Sequence, residues 1–172
     1  MGGQTSSERA MKKYIFAVFV GVLAVICHSS YSFGIDVLKK LKDSGVCRGC
    51  SLSGINLSGA DLNKANLSGS ILKEANLSRA NLSRAYLQVA NLQKANLNRA
   101  NLERAYLNEA HLQEANLKGA NLKGSHLKGA HLERADLTGA NMSGANLSGA
   151  DMDGANLREA NLQGTNAKSG RD

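Results

Sequence analysis

Three groups of side chains in this 172-residue chain could do chemistry. Cys47-Arg48-Gly49-Cys50 is a CxxC. Such a pair either fills core positions or closes a local disulfide, and an oxidising compartment favours the disulfide. Zinc needs more ligands than the neighbourhood supplies. A second group repeats at intervals of twenty residues: Tyr86, Tyr106 and His126 in one series, His111, His131 and Asp151 in another. Rings in series stabilise a ladder, or they form a binding stripe for a sugar or a peptide. The histidine series reads as solvated surface. Neighbours in it could share a metal only weakly, and its outer members not at all. The third group is basic: Lys64, Arg79, Arg84, Arg99 and Arg104, interrupted by Glu103. It is either a salt-laced surface or a site for an anionic partner. There is no P-loop, no Ser/His/Asp arrangement with a buried base and no pair of acids in a cleft. No enzyme activity, cofactor or metal site is expected.

What must position these residues is a period of five. From Leu52 to Leu162 every fifth residue is Leu or Met, and Ala167 takes the last such place. Two residues earlier stands a small residue, usually Ala, and the residue between is usually Asn, as at Asn76, Asn96 and Asn116. Five residues advance an α-helix by about 500°, so successive leucines form no stripe. On a straight strand an odd period turns alternate leucines to opposite faces. A single inward direction survives only if the chain bends once per repeat. The outward residues recur every twenty, so four repeats close a turn of square cross-section. Stacked outward Asn side chains are expected to form amide ladders between turns.

Composition agrees with a filled interior and a polar exterior. The chain is 42% apolar but only 4% aromatic, with 18 Gly, no Pro and no Trp, and a net charge of +7. The first 32 residues read as a secretory signal. Lys12 and Lys13 precede the apolar run from Tyr14 to Cys27, and small residues follow at Ser30 and Ser32. At about 21 Å as a helix, that run is short of a bilayer core. The alternative is an uncleaved anchor formed by residues 14–27. Met11-Lys12-Lys13 resembles a bacterial start, so residues 1–10 read as a mis-assigned extension. Cleavage after Ser32 removes Cys27 and leaves an even cysteine count. It also lowers the net charge to +5, by removing Arg9, Lys12, Lys13 and Glu8.

The stretches SLSGINLSGADLNKANLSG and AHLERADLTGANMSGANLSGADMDGANLREANL resemble the pentapeptide-repeat family, whose pattern is A-[DN]-L-x-x in tandem. The resemblance implies an all-β fold, a right-handed four-sided parallel β-helix, here of about six coils. Residues 33–46 are expected to form a short helix capping the first coil, with Asp36 near its start. Residues 47–168 form the β-helix and 169–172 a tail. The resemblance also implies interaction with other proteins, so the expected role is an exported, periplasmic or extracellular scaffold whose partner is a macromolecule. The alternative is an anionic component of the cell envelope, bound through Arg79, Arg84, Arg99 and Arg104. Some family members protect topoisomerase by imitating DNA, but a basic, exported chain departs from that acidic cytoplasmic type. Nucleic acid is not an expected partner. The open edge of the C-terminal coil predicts either end-to-end self-association or fraying of the last turn.

Overall fold

A computed structural model of the chain describes residues 33–166. The segment read as an export signal and the final residues lie outside the described ones. Helix α1, Phe33–Ser44, comes first. Asp36 falls within its first turn. The helix ends where Gly45 adopts φ +65° and donates its N–H to the Leu41 carbonyl at 2.8 Å. This is the left-handed stop that glycine makes without steric penalty. Leu41 is buried and Val37 partly so, both against the first leucines of the repeats, which places α1 over one end of the coil.

Beyond α1 each pentapeptide does the same thing. In residues 97–101, the Leu97 carbonyl accepts from the Ala100 N–H at 3.0 Å, closing a tight turn over Asn98 and Arg99. The third residue of that turn has positive φ, the signature of a type II turn. Glycine supplies it at Gly59, Gly119 and Gly139, but Arg79 and Arg99 hold the same conformation at φ 58° and 55°. Even β-branched Val89 does so, at φ 57°. Between turns the backbone pairs with its neighbours twenty residues away. The Leu102 N–H donates to the Asn121 carbonyl at 2.7 Å, and the Asn101 N–H to the Ala80 carbonyl at 2.9 Å. These contacts form parallel bridges in columns, such as Asn66, Tyr86, Tyr106, His126 and Asn146. Among the described residues the bridges are isolated, one residue per side. The expected strands therefore do not extend, because the chain bends again before a second residue can pair.

The interior is a continuous stack. Leu67 through Leu137 at every fifth position show no exposure, and the intervening Ala residues are buried as well. Ser70 and Ser125 replace alanine in that stack and are equally buried. Ser70 Oγ donates to the Leu67 carbonyl at 2.6 Å, whereas Ser125 Oγ has no partner. An unpaired buried hydroxyl is penalised by about 1–3 kcal/mol. Ser125→Ala is accordingly expected to raise unfolding free energy by about 1 kcal/mol. Urea denaturation checks this, with Ser70→Ala as the variant that should gain nothing.

Asparagine is less outward than the repeat suggested. Asn101 is half-buried, and its Oδ1 accepts the backbone N–H of Glu103 at 3.2 Å, clamping the turn entrance. The same oxygen also accepts Asn121 Nδ2 at 3.1 Å, so turn clamp and intercoil ladder share one side chain. Asn side chains make such local backbone bonds readily.

Candidate functional site

With the interior filled, the chemistry sits on four faces and the corners between them. The residues in positive φ form the corners. Lys64, Arg84 and Arg104 stand in one corner column at φ 60°, 57° and 55°. Arg79 and Arg99 stand in the adjoining corner column. The structure puts these cations on two adjoining edges, because the turn places the fifth residue of each A-[DN]-L-x-x repeat at the bend. The Arg104 stem leans along the coil: a Cβ added at Gly124, the next residue of the column, would meet Arg104 Cγ at 3.5 Å. Gly119 stands in the same relation to Arg99, at 3.5 Å.

The face after the first corner carries the rings. Tyr86 and Tyr106 stack with centroids 5.0 Å apart and planes 5° from parallel. Tyr106 and His126 continue the stack at 4.9 Å. Each ring occupies a column bridged through its own backbone, so register fixes the stack before any attraction between rings acts. Together Lys64, Arg84, Arg104, Tyr86, Tyr106 and His126 line an open groove of about 460 Å³, with Gly124 at its end. The structure thus merges two groups that sequence reasoning held apart. The signal was available: Arg84 and Arg104 each precede a tyrosine of the ladder by two residues. A second depression, of about 510 Å³, lies along Ser78, Arg79, Asn96, Asn98 and Asn116, so Arg79 and Arg99 do not join the ring groove.

The other candidates separate. Cys47 is fully buried and Cys50 partly so, and the two are joined by a disulfide across 5.4 Å between Cα atoms, at the coil end beside α1. Core filling and bridging, posed as alternatives, coexist here. His111 stacks on His131 at 4.9 Å. His131 Nδ1 lies 3.6 Å from Glu133 Oε1, and Glu133 Oε2 is buried without a partner. Among the described residues no group of three His, Cys, Asp or Glu is placed to hold a metal, and no helix is long and apolar enough to cross a membrane. The charged column Glu74, Lys94, Glu114, Arg134 contributes one ion pair, Lys94 with Glu114 at 3.7 Å.

One carboxylate is clearly perturbed. The Thr138 hydroxyl, donating at 2.6 Å, holds the Asp136 carboxyl below the ordinary 3.8. Partial desolvation opposes this, while the Thr138 backbone N–H and Lys118 at 3.1 Å add to it. A folded-state value below the unfolded one means that the ionised carboxylate favours the fold. That contribution is complete above the unfolded value of 3.8 and is lost as pH falls through the lower folded value. Asp136→Asn is expected to flatten the acid limb of the stability profile below about pH 4 and to leave its neutral region unsteepened. Thermal melts between acidic and neutral pH read this directly.

The model of a family described as pentapeptide repeats matches the chain over residues 50–88, 85–124, 115–154 and 136–168. Among solved structures, the chain is similar to Rfr23, a pentapeptide repeat protein of the cyanobacterium Cyanothece 51142. The two are 30% identical over 78% of this chain and 95% of that one, with a TM-score of 0.42. It is also similar to HetL of Nostoc sp. strain PCC 7120, a protein involved in heterocyst differentiation regulation, at 34% identity over 70% of this chain and 73% of that one, TM-score 0.35. QnrB1, a plasmid-mediated fluoroquinolone resistance protein, is 21% identical over 70% and 73% of the two chains, TM-score 0.33. Among curated proteins nothing matches.

Proposed function

Since the chain belongs to the pentapeptide-repeat family, we propose that it is an exported, non-catalytic scaffold that engages another macromolecule, in the first place a protein, through its outer faces. The observation that carries this reading is the interior: leucine and alanine columns with no exposure leave only the outside to act. Members of the family are generally non-catalytic repeat proteins and have the right-handed β-helix fold. For this chain we read the coil as right-handed with about six turns, as the 20-residue bridges suit. Export rests on the basic, apolar and small-residue succession of residues 1–32. Cell fractionation combined with a photo-crosslinker at position 86 tests both parts. An exported chain crosslinked to a macromolecule supports the proposal; a cytoplasmic chain, or one that captures nothing, overturns it.

A second reading has its own support. The unpaired corner cations favour an anionic component of the cell envelope as partner. Lys64, Arg84 and Arg104 are exposed and take part in no ion pair among the described residues.

The far coil supports self-association as well. Burial fades along it: Leu147 is 3% exposed and Leu162 39%. We propose that two copies meet there, end to end, each covering the other's exposed leucines. Sedimentation velocity should show a species larger than the monomer, and Leu157→Lys with Leu162→Lys should return it to the monomer. A wild-type chain that is monomeric at every concentration would contradict the pairing.

A further inference from the structure

We propose that the groove beside the ring ladder is a track for a linear acidic polysaccharide, a chain of uronic acid units laid along the coil axis. This rests on the anionic-partner reading and names the partner's chemistry.

The cations come first. Lys64, Arg84 and Arg104 are exposed and unpaired among the described residues, whereas Lys94 and Lys118 each hold a carboxylate. They also occupy left-handed backbone that their own column fills with glycine at Gly124, Gly144 and Gly164. Glycine adopts that conformation without steric penalty and other residues do not. Every corner of the coil shares that conformation, Val89, Glu109 and Glu114 included, so it belongs to the bend and not to these cations.

The rings decide what kind of anion fits. Tyr86, Tyr106 and His126 cover one another's facing sides, so along the stack it is the ring edges, with two hydroxyls and an imidazole, that are left to meet a ligand. Nucleobases bind such proteins by stacking on free ring faces, and the inner faces here are taken. An acidic peptide brings carboxylates to the arginines but offers no run of hydroxyls to the two tyrosine hydroxyls and the imidazole. A uronate chain brings a carboxylate and free hydroxyls on every unit. Each arginine then takes a carboxylate through two parallel N–H···O bonds. The ring edges meet the sugar hydroxyls.

The test uses the full chain and a labelled oligomannuronate, read by fluorescence anisotropy at low salt. The wild type should bind it, with affinity falling as salt rises. It should bind neither neutral mannan oligomers nor polyglutamate of equal charge comparably. Arg84→Glu with Arg104→Glu should weaken binding at least about tenfold. Arg79→Glu with Arg99→Glu, the same charge change at the adjoining corner, should weaken it less than about threefold. Both variants should melt like the wild type, because Glu109 and Glu114 already occupy equivalent corners. Tyr86→Phe with Tyr106→Phe keeps the stack and should still lose affinity several-fold. Three results overturn the proposal: no binding at low salt, equal loss in the two arginine pairs, or polyglutamate binding as tightly. A chain that fails here but is still crosslinked to a macromolecule loses only this inference. One that captures nothing in either experiment loses the scaffold reading too.

Discussion

Leu102→Ala should lower unfolding free energy by about 2–5 kcal/mol, one of the largest single-residue losses open to this chain. Leu102 has no exposure and stands in an inward column between Leu82 and Leu122. Truncation removes its buried surface and leaves a void that the neighbouring coils cannot collapse to fill, because their spacing is fixed by backbone bonds of 2.7 to 2.9 Å. Each coil is covered only by its two neighbours, so the damage also weakens the coupling between the halves of the rod. The same substitution at Leu157, only partly buried near the far end, should be a fraction as severe. Urea titrations followed by circular dichroism compare the two. Equal losses at both positions would mean that the interior is not the stack described.

The second large effect separates inside from outside. The interior repeats every five residues, but the exterior is in register only every twenty. Deleting residues 97–101 therefore keeps the Leu and Ala columns and turns everything downstream by one face. Tyr86 then meets His111 instead of Tyr106, and Arg84 is followed in its corner by Glu109 instead of Arg104. The shortened chain should fold, lose the tyrosine stack in its near-ultraviolet dichroism, and bind oligomannuronate at least about tenfold less tightly. Deleting residues 127–146 removes one whole turn and leaves every column through His126 untouched. That chain should be less stable by several kcal/mol, roughly one coil's share of burial, yet should keep its tyrosine signal and its affinity within about twofold. If the five-residue deletion unfolds the chain while the twenty-residue one is tolerated, the two periods are not independent.

Much of this architecture can be read from composition and spacing alone. Leucine at an odd interval leaves bending as the only way to keep one inward direction, and the recurrence of Tyr86 at Tyr106 and of His111 at His131 supplies the turn length. The corner conformation was less visible. Gly59, Gly119 and Gly139 stand at the position that Arg79 and Arg99 take elsewhere, and that exchange is the trace of a positive φ. It is hard to read from arginine, which rarely adopts such backbone. The double use of asparagine was hidden for another reason. A ladder and a turn clamp ask for the same side chain at the same place, so only coordinates distinguish them, as at Asn101. The union of the basic and aromatic series into one groove depends on which corner adjoins which face. That relation appears only when residues two apart in sequence are followed around the coil.

The isolated bridges also have a mechanical consequence. All of them lie between successive turns, each a single residue wide. A pull applied at the two ends would load them one after another rather than together. The molecule should resist compression as a stiff spacer, and under tension it should unwind turn by turn from whichever end is less firmly held.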